Sequence, residues 1–190
     1  MQKFPVYTLE TAPEKSKSAL HTLQQSFGMI PNIAGAMATS PTLINCLVGM
    51  FGTVHGASFS EAQMQTLLLT DAVTNRSEWA VAFHTALALS EGLDPSDVQA
   101  MREGRSPNDS KLGALSTLAR TLIEKRGRLN DQEVDRFIKA GYSKELLLEA
   151  IAVVAASTIT NYTGSITKPP LEAAFRQHAW QAGEAKDRAA

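Results

Sequence analysis

The residue best suited to proton chemistry is His84, which ends the apolar run Trp79-Ala80-Val81-Ala82-Phe83-His84. A helix that is apolar on most faces is expected to be buried. A histidine in such a helix is either an acid/base or ligand-orienting group, or a core side chain with its hydrogen bond satisfied. Helical steps back from His84 reach Ala80 at i−4 and Ser77 at i−7, so the three positions share one stripe. Ser77 is either part of that stripe's chemistry or the N-cap of its helix. Glu91 shares the stripe two turns further on, and Glu78 points elsewhere. His21, His55 and His178 show no ligand spacing with His84, so neither a metal site nor a cofactor is expected.

The chain contains a single cysteine, Cys46. That excludes dithiol–disulfide chemistry within one chain, a disulfide framework, and any cysteine-rich zinc or iron–sulfur site. Leu43, Cys46, Leu47 and Met50 recur at i, i+3, i+4 and i+7. Cys46 is therefore expected as a small apolar core residue. The functional alternative is a one-cysteine peroxidase that passes through a sulfenic acid.

The elements that position these residues read as helices throughout. Thr11-Ala12-Pro13-Glu14 has the pattern of an N-cap, an early proline and a capping-box glutamate, with Gly28 closing the helix. Ser40-Pro41 opens the segment that holds Cys46, and Ser60 with Gln63 forms a capping-box pattern before Leu67, Leu68 and Leu69. Asn75-Arg76-Ser77 breaks the chain before a helix from about Glu78 to Glu91, which Gly92 closes. Further helices are expected from Asp94-Pro95 to Arg102, from Lys111 to Arg126, from Asn130 to Ala140, and from Ser143 to about Asn161. Pro169-Pro170 precedes a tail carrying Phe175 and Trp180. The fold class is all-α, in a single domain over residues 1–190 with a flexible tail from about residue 181.

Composition narrows the function classes. The chain has 190 residues, 18 basic and 19 acidic, for a net charge of −1. That balance offers no general attraction to nucleic-acid phosphates or acidic membranes. The N-terminal residues lack the apolar region of a signal peptide. The longest apolar run, Ala150 to Ala156, is far shorter than the roughly 20 residues that span a bilayer. A soluble cytoplasmic protein is the expectation.

A set of short motifs adds a resemblance. They are Phe27-Gly28-Met29-Ile30-Pro31-Asn32 followed by Ser40-Pro41, then Phe59-Ser60-Glu61-Ala62-Gln63, then Phe83-His84-Thr85-Ala86-Leu87-Ala88. Ala140-Gly141-Tyr142-Ser143, Leu148-Glu149-Ala150 and Asn161-Tyr162 follow. In order and spacing, from about Ala19 to Tyr162, the chain resembles the carboxymuconolactone decarboxylase superfamily in its alkylhydroperoxidase-D-like branch. The resemblance implies that branch's all-helical fold and a homo-oligomer with the His84 region near a subunit contact. In redox members a CxxC pair is followed, after three residues, by a histidine, and a glutamate stands twelve residues before the first cysteine. Carried over, the cysteine positions fall on Ser77 and Ala80, the histidine on His84 and the glutamate on Gln65. One of the four relay groups remains, because Gln65 does not ionise and neither Ser77 nor Ala80 can cycle through a disulfide.

The resulting expectation is a small-molecule site near His84 with non-redox chemistry of a lyase or isomerase type. Residual peroxidase activity through Cys46 and a non-catalytic interaction protein are the alternatives. Trp79 and Phe83, related by i, i+4, are expected as core or subunit contacts, and Asn161 and Tyr162 as pocket-lining or helix-ending residues.

Overall fold

The computed structural model describes residues 4–56 and 58–183. Among them no strand occurs. Nine α-helices follow one another: α1 (Glu14–Phe27), α2 (Asn32–Met37), α3 (Pro41–Val54), α4 (Glu61–Thr74), α5 (Glu78–Ser90), α6 (Pro95–Arg102), α7 (Ser110–Glu124), α8 (Asp131–Lys139) and α9 (Lys144–Thr167). A short 3-10 helix, Ala173–His178, closes the order. Most of the expected tail falls on residues 184–190, outside the described residues.

Most helix ends follow the capping chemistry. Ser40 accepts from the Leu43 amide, with Pro41 at the first helical position. Ser60/Gln63 and Asn130/Glu133 form complete capping boxes. Each such cap contributes about 1 kcal/mol. The start of α1 differs from expectation. Its N-cap is Pro13 and no side chain caps it. Thr11 instead accepts from the Thr8 amide, closing the preceding turn. At the α4–α5 junction Arg76 takes a left-handed backbone, φ 55°, so the chain reverses within three residues.

Helix α4 organises the core because it is apolar on two sides. Leu69 and Ala72 face one cluster, shared with α1, α2, α3 and α5. Met64, Leu67 and Leu68 face a second, shared with α7, α8 and α9. Fully burying a leucine contributes about 1.5–3 kcal/mol, so the run Leu67–Leu69 is a large local term.

Helix α9 runs past the expected end at Asn161 to Thr167. It is long and apolar enough to cross a bilayer by length and composition, with a mean hydropathy of 1.4 over its most apolar window. Here it packs against α2, α3, α4, α5 and α7, and Ala150, Val153, Ala156, Asn161 and Gly164 are buried. That is the environment of a core helix.

The segment after Pro169 is a strap across α5. Glu172 accepts from the Trp79 indole N–H at 2.9 Å and from the Asn32 amide at 2.6 Å. Phe175 packs edge-on against Phe83. Arg102 donates to the His178 carbonyl, and the Trp180 indole donates back to the Arg102 carbonyl. The strap thereby fixes Trp79 and Phe83 from behind.

Candidate functional site

His84 is 4% exposed, on the face of α5 turned toward α4. Its Nδ1 lies 3.1 Å from Gln65 Oε1. The amide oxygen can only accept, so Nδ1 carries the hydrogen and Nε2 is left with a lone pair. Burial, and secondarily the positive charge that His55 can carry, push the His84 pKa down to about 3. The ring is therefore neutral at physiological pH. Gln65 is itself 3% exposed. Gln65 does not ionise, so it holds the ring by that hydrogen bond alone.

A cavity of about 340 Å³ opens beside the ring. Helices α1, α2, α3, α5 and α9 contribute its walls, which are mainly apolar and aromatic: Leu23, Phe27, Ile33, Val48, Phe51 and Phe83 among them. The size and the lining are those of a small-molecule site. Trp79 and Phe83 stack at 4.9 Å, and both line the cavity as well as filling the core. Phe27 and His84 each meet Phe83 edge-to-face.

The polar groups of the lining have one chemical sense. Thr22 and Ser26 donate their hydroxyls to the carbonyls of Ser18 and Thr22, and Thr160 donates to Ser157. Each hydrogen is spent on helix backbone, so these oxygens remain as acceptors. His84 Nε2 is a fourth acceptor. The remaining polar side chain of the lining is His55.

The other sequence candidates divide clearly. Ser77 occupies the N-cap position of α5, but its side chain makes no cap bond. Its Oγ is buried beside Gly164 without a partner. Ala80 is fully buried core. Neither is among the lining residues. Cys46 is exposed, contrary to the expected core position. The buried face of α3 is Ile44, Leu47 and Val54, rotated from the face that the Leu43–Cys46 spacing suggested. Asn161 is buried within α9 and bonded to Ser157, whereas Tyr162 is 59% exposed.

Two groups were missed. His55 ends α3 and lines the cavity. Asp71 is fully buried on α4, and burial pushes its carboxyl well above the usual range. The Ser157 hydroxyl approaches it, but neither carboxyl oxygen closes a hydrogen bond of good geometry. An acidic residue directly after Leu67-Leu68-Leu69-Thr70 was the available signal for Asp71. No spacing rule pointed to His55.

No family model matches the chain, and no curated protein sequence does. Solved structures do. An alkylhydroperoxidase AhpD core protein, an uncharacterized peroxidase-related protein from Ralstonia eutropha JMP134, superposes with a TM-score of 0.80 at 14% identity, covering 91% of this chain and 93% of that one. A peroxidase-related protein from Silicibacter sp. TM1040 gives 0.76 at 16% identity, covering 91% and 92%. The debrominase Bmp8 gives 0.75 at 16% identity, covering 92% and 94%. The chain therefore has the all-helical fold of the alkylhydroperoxidase AhpD core, with a single cysteine that lies outside the cavity.

Proposed function

We propose that the cavity beside His84 binds a small, uncharged, largely apolar organic molecule, and that any transformation there is non-redox. The observation that carries this is the Gln65–His84 hydrogen bond, which leaves Nε2 as an acceptor at an apolar cavity. The ligand class is a planar or compact molecule with one O–H or N–H to donate, such as a phenol or a pyrrole. Bmp8 was also crystallised, as a variant, with 2,3,4-tribromopyrrole; that structure matches with a TM-score of 0.74. Such a ligand is small, apolar and a single donor, which is the chemistry our lining would accept.

His84 acts here as a ligand-orienting group. A base whose conjugate acid has a pKa of about 3 abstracts protons poorly at neutral pH. The absence of a thiol from the lining supports the non-redox reading. The exposure of Cys46 favours a second reading, a one-cysteine peroxidase open to oxidant. Its sulfur makes no hydrogen bond among the described residues, so nothing there poises it. Peroxide consumption with a thiol reductant, abolished by Cys46→Ser, would establish that reading. A soluble protein of the cytoplasm is part of the proposal, supported by the neutral charge balance and the core position of α9.

The test is calorimetric titration of phenol and of pyrrole into the parent protein and into Ala34→Leu. Ala34 lines the cavity and is 2% exposed, so the larger side chain fills it. Saturable binding to the parent, lost in Ala34→Leu, is the expected result. Equal titrations in the two proteins would remove the site from the cavity.

A further inference from the structure

His84 is held neutral and hydrogen-bonded, so it is poorly suited to move a proton. The cavity has one other imidazole, and its setting is different. His55 caps the C-terminus of α3 at the rim of the cavity, with its side chain 36% exposed. The ring stacks on Phe51, one turn earlier, at 5.5 Å and 29°. Its Nδ1 faces Glu61 Oε2 at 4.0 Å. A carboxylate on the Nδ1 side favours the tautomer with the hydrogen there, and it is placed to pair with the ring once that ring is protonated. Nε2 is then the nitrogen available to a bound molecule.

The positions of these groups are set by the fold rather than by chance exposure. Glu61 begins α4, and Gln65 follows at i+4 on the same face. One helix thus presents a side chain to each histidine: Glu61 lies 4.0 Å from His55 and Gln65 hydrogen-bonds His84. Two contacts fix the residues just before Glu61. Ser58 donates its amide and its hydroxyl to Glu149 of α9, at 3.1 and 3.0 Å. Ser60 and Gln63 complete the capping box at the start of α4.

We propose that His55, backed by Glu61, is the proton-accepting residue of this cavity, and that His84 orients the bound molecule without taking its proton. The inference rests on the cavity being the binding site. In the step, His55 Nε2 takes a proton from an activated C–H of the ligand, whose O–H or N–H is left to His84. The bond's electron pair stays on the ligand, the imidazolium is paired with Glu61, and the proton leaves to solvent at the exposed rim. No oxidant, reductant or metal is required. The combination is a carboxylate–imidazole dyad at the mouth and a neutral acceptor inside, two imidazoles whose surroundings divide their roles. The ligand class follows: an uncharged aromatic or heteroaromatic compound with an activated C–H, with or without the one O–H or N–H that His84 accepts.

The test uses 5-nitrobenzisoxazole, an uncharged apolar heterocycle. A base removes its ring C–H, the N–O bond breaks, and a coloured cyanophenolate is released. Binding is read separately, by partial quenching of tryptophan fluorescence, since Trp79 of the chain's two tryptophans lines the cavity. The parent is expected to bind the probe and to accelerate its elimination at least about a hundredfold over free imidazole at the same concentration. His55→Gln should still bind and lose the acceleration. Glu61→Gln should lower kcat about two- to fivefold and leave KM unchanged, as expected for a positioning carboxylate at an exposed pair. His84→Asn should raise KM, as expected of a lining residue that orients the ligand, and should still accelerate the elimination of the bound probe. Acceleration that survives His55→Gln, or that is lost in His84→Asn with binding intact, overturns the assignment of His55. Binding without acceleration in the parent overturns it too, and leaves the cavity as a binding site. No quenching at all overturns the cavity reading and this inference with it. Melting curves of all three variants exclude unfolding as the cause.

Discussion

Replacing His84 by asparagine changes how stability depends on pH, and the size of the change follows from the burial of the ring. The imidazole has an ordinary pKa of 6.5 in the unfolded chain and about 3 in the folded protein. Between those values the unfolded chain binds one more proton than the native state. Stability therefore rises with pH across that window and is lost as pH falls through it. Each pH unit is worth about 1.4 kcal/mol, so moving from pH 7 to pH 5 costs roughly 2 kcal/mol through this one group. Asparagine does not titrate, and its amide can still donate to Gln65 Oε1 as Nδ1–H does. At pH 7 the variant loses ring packing against Phe83, for about 1–2 kcal/mol. The assay is urea unfolding followed by tryptophan fluorescence at pH 7 and pH 5. The parent should lose roughly 2 kcal/mol more than His84→Asn on acidification. Taking the difference between the proteins cancels Asp71 and every other group they share. Equal losses would show that His84 takes up a proton in the native state, and would refute its burial as a neutral acceptor.

Three further outcomes follow from other parts of the fold. Asp71 has a raised carboxyl pKa, so it lowers stability as pH rises from the ordinary value of 3.8 toward the raised one. Asp71→Asn should be more stable than the parent at pH 7.5, by about 1–3 kcal/mol, with the gap closing near pH 4; a loss of stability at pH 7.5 would contradict this. Gly35→Ala would place a Cβ 2.7 Å from Val6 and 2.8 Å from the Tyr7 carbonyl. It should cost about 1–3 kcal/mol in thermal or chemical unfolding. Leu148, Ile151, Tyr162 and Ile166 are 47–68% exposed along α9, and we propose that a second copy of the chain covers them. Ile166→Glu should then shift the sedimentation coefficient toward the monomer, whereas an unchanged value would set that face aside.

What the sequence showed depended on how local the physics was. The caps at Ser40, Ser60 and Ser143 are contacts within four residues, and each stands where the residue types placed it. The partnership of Gln65 with His84 joins two helices, and only the resemblance to a known family aligned the two positions in advance. Cys46 was misplaced because two overlapping apolar spacings exist on α3. Leu43–Leu47–Met50 and Ile44–Leu47–Val54 both satisfy helical periodicity, and packing against α9 and α1 selects the second. Thr11 was read as a cap because its spacing to Glu14 fits, yet its side chain is used by the turn before it. His55 was not legible at all. Its significance comes from its place in the cavity lining with Glu61 4.0 Å away, and six residues of sequence separation carry no sign of that.

The central claim is that the cavity presents a neutral acceptor, His84 Nε2, to a small apolar ligand. Calorimetric comparison of phenol with its O-methyl ether tests it most directly, because the two differ in the one hydrogen that Nε2 would accept. Phenol should bind the parent roughly three- to tenfold more tightly than the ether, the worth of one neutral hydrogen bond. In His84→Phe that preference should vanish while the ether still binds. Equal affinities in the parent, or a preference for phenol that persists in His84→Phe, would contradict the account.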